Sequence, residues 1–310
     1  MPPTIRLPMF HEVNLVYIIS AYRLPRQLLR LVTRLQGEGT TFLVHIDKKC
    51  DPAVFATAAE GLGRLPNVHL LERHVCHWGG FGHVEASLKG IEAIVERRLP
   101  CDHAVLLTGQ DFPIKSNEFI QNTLGESADF SFLQNFPLPD VEIWPPDGGE
   151  RRIAHWHLWI KGRHVELPHH TSTPRFASAV RAINALVPDR RSFLPGLRPY
   201  GGSGYWMLSR EAVLHVHNFV RQHPEFVSFF RRTLVPDELF FQTLLMNSEL
   251  RQRVKNDDLR YIDWSAQHSS PAVLTVDDFH SLRASHALFA RKFDEGIDSD
   301  ILDLVEECLL

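Results

Sequence analysis

Apolar residues along the first third of the chain alternate between two spacings. Val13 to Ile19 is an apolar, β-branched run that predicts a strand. Pro25 then opens a helix with Leu28, Leu31, Val32 and Leu35 on one face, closed by Gly37 and Gly39. Thr41 to Ile46 predicts a second strand and Val68 to Leu71 a third. A helix with Val84, Leu88, Ile91 and Val95 turned inward stops near Pro100, and Ala104 to Leu107 predicts a fourth strand. Strands that alternate with helices predict an α/β fold: a mostly parallel central sheet with helices on both faces. Such sheets bind ligands beyond the carboxyl ends of their strands. Asp47 and Asp111 each follow a strand, so both point toward that rim.

The middle of the chain is less regular. Phe136 to Glu150 carries four prolines and two glycines and reads as a long loop. Arg152 to Ile160 reads as extended, and Lys161–Pro174 and Val187–Gly204 as further loops; loops this long are often functional. Pro236-Asp237-Glu238 then opens an apolar stretch. Pro236 suits a first helical position, and Phe240, Phe241, Leu244 and Leu245 recur at helical spacing, facing the core. Glu238 is thus held beside hydrophobic side chains, where burial raises a carboxylate's pKa and suits it to accept a proton. The same pair of acids also reads, more blandly, as a complement to the helix dipole.

The bulk composition narrows the classes. A chain of 310 residues with 44 % hydrophobic residues supports a sizeable core. No composition break, repeat or low-complexity tract divides it, so one domain spanning 1–310 is expected. The net charge of −4 gives no nucleic-acid footprint. No run approaches a membrane span, the N-terminus lacks a secretory apolar region, and four scattered cysteines form no disulfide framework. A cytoplasmic protein is expected, with peripheral contact at the inner membrane left open.

Candidate chemistry lies on several short segments. No glycine-rich dinucleotide or phosphate loop follows the first strand. Asp47 fits an acid that holds ribose hydroxyls, or a strand-end cap. His155 and His157 would share one strand face and, with His169 and His170, raise the question of a metal. No carboxylate or cysteine pattern accompanies them, so no metal is expected. Asp298-Ser299-Asp300 spells a manganese-binding signature but reads as a solvated turn. Lys292 lies in Phe289-Ala290-Arg291-Lys292-Phe293, where alternation can aim a cation at a phosphate; alone it would be a surface lysine. Trp78, flanked by glycines, and Trp264, after a strand, can each stack on a sugar ring or fill core space.

Six segments in order carry a family resemblance: His45-Ile46-Asp47-Lys48-Lys49, Trp78 to Leu88, Leu107 to Lys115, Gly202 to Glu211, Pro236-Asp237-Glu238 and Leu288 to Asp294. From about Val13 to Asp298 the chain resembles the Core-2/I-branching N-acetylglucosaminyltransferases and the peptide O-xylosyltransferases grouped with them, as a bacterial-type member. The resemblance implies a GT-A-like fold, with a nucleotide-binding half at about 13–115 and an acceptor and catalytic half at about 130–300. It implies an inverting transferase without metal or cofactor, moving a sugar from a UDP-sugar to a glycan or glycolipid acceptor. N-acetylglucosamine is the first donor sugar it suggests, with xylose or glucuronate as alternatives; Phe241-Gln242-Thr243 with Asn247-Ser248 leans toward the xylosyltransferases. By the same resemblance Glu238 is the catalytic base, Lys292 neutralises the diphosphate, Asp47 contacts the uridine and Trp264 lines the acceptor site. Asp111 and Arg291 join the donor-binding set, and Trp78 the acceptor-binding set. Where the branching enzymes carry a diphosphate arginine, this chain has Gln267-His268-Ser269-Ser270-Pro271, so Arg283 or Arg291 is expected to stand in. Two other classes remain open: a non-catalytic sugar-nucleotide or glycan-binding module, and a hydrolase with Glu238 and Asp111 flanking a glycosidic bond.

Overall fold

Strand β1 (Leu15–Ala21) is buried on both faces, and its alternating side chains feed two separate cores. Leu15, Tyr17 and Ile19 pack with Leu28, Leu31 and Val32 of α1 (Pro25–Arg34). Val16 and Ile18 pack on the opposite face. The structure is a computed structural model that describes residues 13–168, 185, 190–265 and 270–310. After α1 come β2 (Thr40–Ile46), α2 (Pro52–Leu62), β3 (Val68–Leu70), α3 (Gly82–Glu96) and β4 (His103–Thr108). Val84 and Ile91 of α3 fill the second core as their helical spacing predicts, joined by Ile94, while Leu88 and Val95 are only partly buried against it.

The second half of the chain completes the main sheet and adds smaller ones. It runs β5 (Asp111–Pro113), α4 (Asn117–Gly125), β6 (Ser131–Leu133), β7 (Phe136–Pro137), α5 (Glu150–Ala154), β8 (Trp156–Ile160) and β9 (Arg163–Leu167). Then follow β10 (Tyr200–Gly201), β11 (Trp206–Ser209), α6 (Arg210–Gln222), α7 (Pro224–Phe230), α8 (Phe240–Met246), β12 (Val254–Lys255) and β13 (Arg260–Ile262). The described chain closes with α9 (Phe279–Ala284), β14 (Phe289–Arg291) and α10 (Asp300–Leu309). The seven-stranded sheet has the order β12-β6-β11-β4-β1-β2-β3. β1, β2, β3 and β4 pair in parallel, and only β11 runs against its neighbours β4 and β6. A mostly parallel sheet covered on both faces is therefore the observed architecture. A second sheet, β13-β14-β5, sets Arg291 directly opposite Asp111 and Ile262 beside Arg291.

Three local expectations change. Arg152 does not lie in an extended segment: Glu150–Ala154 forms a short helix, and the strand starts at Trp156. Lys161 and Gly162, which read as loop, instead form the two-residue turn of a β8–β9 hairpin, both with positive φ, the twist that suits antiparallel strands. The helix expected from Pro236 starts later. Pro236–Glu238 makes a single 3-10 turn, Leu239 breaks the geometry at φ −135°, and α8 begins at Phe240. Among the described residues no helix is long and apolar enough to cross a membrane.

The core beneath that turn is aromatic. Phe240 is fully buried and meets the rings of Phe226, Phe241, Phe230 and Phe81 at centroid distances of 5.0, 5.2, 5.4 and 5.9 Å. Phe240→Ala should therefore cost about 3–5 kcal/mol. Urea unfolding checks this, and a loss well below that range would show that the cluster closes over the cavity.

Candidate active site

The Pro-Asp-Glu turn is fixed from both sides by backbone hydrogen bonds. Val235, just before it, holds φ +50°, a left-handed conformation that β-branched residues seldom adopt. Its N–H donates to the Gly79 carbonyl at 2.8 Å, and the Gly202 N–H donates to the Glu238 carbonyl at 2.9 Å. Gly202 is obligatory there, because a Cβ would lie 1.9 Å from the Gln134 carbonyl oxygen. Glu238 Oε2 accepts from Arg152 Nη1 at 2.5 Å, and the Arg152 guanidinium lies over the Trp144 ring at 3.8 Å. About a quarter of the Glu238 side chain (27 %) faces solvent. Burial raises its pKa above the ordinary carboxylate value, the Asp237 charge pushes the same way, and Arg152 opposes both. One oxygen of the neighbouring acid, Asp237 Oδ1, is buried without a partner.

The same Gly204–Tyr205 segment also adjoins a group of cations. Gly204 abuts both acids: a Cβ there would sit 3.4 Å from Asp237 Oδ2 and 3.9 Å from Glu238 Cγ. The next ring, Tyr205, lies beneath the guanidinium groups of Arg291 at 4.6 Å and Arg260 at 4.8 Å. Burial raises the Tyr205 pKa, so the phenol stays neutral. Lys292 follows Arg291, and its ammonium donates to Ser270 Oγ at 2.7 Å. Desolvation first, then the neighbouring Arg291 and Arg23, lower the Lys292 pKa, against the opposing charge of Asp294. Arg23 is paired with Asp294.

Asp111 has a different place from the one expected of a donor-binding residue. It is fully buried, its Oδ2 accepts the Thr108 N–H, and its Oδ1 lies 3.3 Å from Arg260 Nη1 and 3.5 Å from Arg291 Nε. These guanidinium groups are close enough for charge pairing but out of line for hydrogen bonds, which leaves Asp111 Oδ1 and Arg291 Nε formally unpartnered. Strand β14 covers the carboxylate, so it faces no substrate and cannot flank a glycosidic bond with Glu238. The two-carboxylate hydrolase loses its second acid.

The remaining expected residues line the rim. Asp47 ends β2: its N–H donates to the Ala21 carbonyl, its Oδ1 accepts the Lys49 N–H at 2.8 Å, and Oδ2 lies 3.8 Å from Lys49 Nζ. Trp264 leaves β13 at the end where Arg291 and Lys292 leave the parallel β14, and is 51 % exposed. Trp78 is 68 % exposed, one residue before the Gly79 that anchors the Pro-Asp-Glu turn. Large aromatics left this open are available for stacking rather than core filling. Arg283 lies exposed in α9, whereas Arg291 adjoins Lys292. His155 precedes β8 and pairs at 2.6 Å with Glu166, the residue opposite His157 in the β8–β9 pair, while His157 is buried against His164 at 3.0 Å. His169, His170 and Gln267 to Ser269 lie outside the described residues. Asp298 accepts the Val276 and Ile301 N–H groups and acts as a local cap.

Arg152, Arg23, Tyr205 and Arg260 escaped the sequence reading. Arg152 had no usable signal, since its partner is 86 residues away. Tyr205 stood inside a recognised segment, Gly202 to Glu211, without distinguishing chemistry. A cavity of about 390 Å³ toward the far end of α8, lined by His215, Thr243, Leu244 and Asn247, contains none of these acids or cations. The chemistry sits on the open rim.

The family model named Core-2/I-Branching enzyme matches residues 15–144 and 163–283. That span takes in Asp47, Asp111, Glu238 and Trp264 and stops short of Arg291 and Lys292. The chain is 23 % identical to a xylosyltransferase of Ciona intestinalis over 97 % of its own length and 35 % of the relative's. It is likewise 23 % identical to xylosyltransferase 2 of Rattus norvegicus (95 % and 33 %) and to xylosyltransferase 1 of Homo sapiens (94 % and 30 %). The chain thus spans about a third of the length of the curated relatives it matches. A solved galactosyltransferase, LgtC, in complex with donor and acceptor sugar analogues, aligns over 96 % of each chain with 12 % identity and a TM-score of 0.42.

Asp111→Asn should leave the fully buried Arg260 guanidinium without its counter-charge, at a cost of about 3–5 kcal/mol. Thermal or urea unfolding measures it. A stability change under about 1 kcal/mol would mean that the two arginines are held by packing alone.

Proposed function

Because the chain belongs to the Core-2/I-Branching enzyme family, we propose that it is a glycosyltransferase acting from a UDP-sugar on a hydroxyl of a glycan or glycolipid, with inversion and without a metal. One observation carries this reading. A partly buried carboxylate with a raised pKa, Glu238, adjoins Gly204, and Arg291, the neighbour of Lys292, adjoins Tyr205, the next residue. An acceptor hydroxyl must lose a proton as it attacks, and Glu238 accepts it. Arg152 holds Oε2, so the hydroxyl meets Oε1. The leaving diphosphate gathers negative charge, which Lys292 and Arg291 offset with Arg23 nearby; positive side chains thereby take the place of a divalent ion. Asp47 holds the uridine at the end of β2. Trp264 and Trp78 offer ring faces to the acceptor sugar.

The donor sugar has three readings. N-acetylglucosamine follows from the branching motifs. Xylose is favoured by the xylosyltransferase names of the relatives, with glucuronate as a further alternative. A thermal-shift comparison of the three UDP-sugars discriminates between them. A non-catalytic binding module would have no use for a base with a raised pKa.

Glu238→Gln should keep UDP-sugar affinity and lower turnover by about 10²–10⁴-fold. A near-normal rate in that variant removes Glu238 from the base role. In the unaltered chain the base acts only when ionised, so kcat/KM should fall as pH drops through a value above the usual carboxylate range. Arg152→Met removes the cation that opposes this rise and should move the acid limb to still higher pH; a limb that stays in place contradicts the pairing. Lys292→Ala deletes a charge-assisted contact worth about 1.5–3 kcal/mol, hence about 10–100-fold in UDP affinity by calorimetry. Unchanged affinity takes Lys292 out of the site.

A further inference from the structure

We propose that His45, His74 and Cys76 form a zinc site that staples the end of β2 to the segment entering α3. Each residue offers one ligand atom, and these atoms all lie within 4.8 Å of one another. His45 is fully buried and Cys76 nearly so. The donor set is two imidazoles and one thiol. It suits a borderline-soft ion such as Zn²⁺ and not the hard, oxygen-seeking Mg²⁺ or Mn²⁺. In a tetrahedral zinc site the ligand atoms stand about 3.3–3.7 Å apart. Closure therefore asks for an inward shift of about 1 Å at most, within reach of small side-chain rotations.

The ring nitrogens carry the argument further. His74 Nε2 lies 2.8 Å from the Gly82 carbonyl oxygen, to which it can only donate, so its Nδ1 bears a lone pair. That Nδ1 is buried with no partner. A histidine held by a backbone carbonyl through one nitrogen, with the other bare, is the arrangement that orients imidazoles toward metals. His45 Nδ1 is likewise buried and unpartnered, while its Nε2 accepts the His74 N–H at a long 3.2 Å. Coordination through His45 Nδ1 moves the ring proton to Nε2 and gives up that contact. Only the Cys76 thiol releases a proton to solvent, as the S–H bond is replaced by a zinc–sulfur bond. Cys76 Sγ lies 3.7 Å from His74 Nε2, and the two orphaned Nδ1 atoms have no partner among the described residues.

The location gives the site a purpose independent of the proposed reaction. His45 is two residues before Asp47, and Cys76 is two residues before Trp78 and three before the Gly79 carbonyl that anchors Val235. The Lys48 N–H already donates to the His74 carbonyl at 2.9 Å. A metal here would lock the rim loops together without touching the reacting atoms.

The test is metal uptake by the full chain after treatment with a chelator. Co²⁺ should bind at one equivalent per chain, with the visible bands of a four-coordinate site and a thiolate-to-cobalt charge-transfer band, and Zn²⁺ should displace it and raise Tm. Cys308→Ser, which alters an exposed cysteine, should keep the charge-transfer band, and Cys76→Ser should lose it. Absence of the band in the unaltered chain, or its survival in Cys76→Ser, overturns the proposal. Should Cys76→Ser not fold, His74→Gln at its half-buried position replaces it. Cobalt affinity should then fall at least tenfold, and an unchanged affinity is equally fatal.

Discussion

The charge of Asp111, sealed beneath β14, is the constraint on which the donor side of the rim depends. Two guanidinium groups converge on its Oδ1 within 3.5 Å, one of them, Arg260, fully buried. Taking such charges out of water costs several kcal/mol each and is tolerated only where they compensate one another. The observed register sets Arg291 opposite Asp111, where this pairing compensates the buried charge. Arg291 in turn fixes where β14 ends, and so where Lys292 emerges. Tyr205 lies against the same two guanidinium groups, which ties the Gly202–Tyr205 segment to the pair.

The acid side rests on a different device. Val235 is held at φ +50°, a conformation that costs about 1–3 kcal/mol and persists only when its surroundings enforce it. Its hydrogen bond to Gly79 and the aromatic packing under α8 do so. The outcome is a carboxylate whose backbone is clamped at both ends of a three-residue turn, half-sheltered, with Arg152 on one oxygen. Arg152 is itself restrained by Trp144, so the cation that moderates Glu238 is placed by packing rather than by sequence proximity.

These two halves differ in how far the amino-acid order betrays them. The alternation of Leu15, Tyr17, Ile19 against Val16, Ile18 marks a strand buried on both faces, and the helical spacing in α1 and α3 marks the layers that cover it. The position of Asp47 just beyond β2 was legible because a parallel strand directs the residue after it to the rim. Asp111 obeyed the same rule but was buried by β14, a long-range pairing across 180 residues that no local pattern encodes. The Pro-Asp-Glu segment was misplaced on a helix because its residue types suit a first turn. The break at Leu239 comes from tertiary hydrogen bonds to Gly79 and Gly202, not from propensity. Arg152 and Tyr205 matter only through neighbours far away in the chain, so their residue types alone carried no signal.

The central claim is that positive side chains, not a divalent ion, receive the diphosphate beside Tyr205. A crystal structure of the chain with UDP tests it most directly. Diphosphate oxygens within hydrogen-bond reach of Lys292 Nζ, with Arg291 alongside, Ser270 released from the ammonium and the uridine at Asp47, are the result the account predicts. A diphosphate bound elsewhere, or bridged to acidic residues through a metal ion, would contradict it.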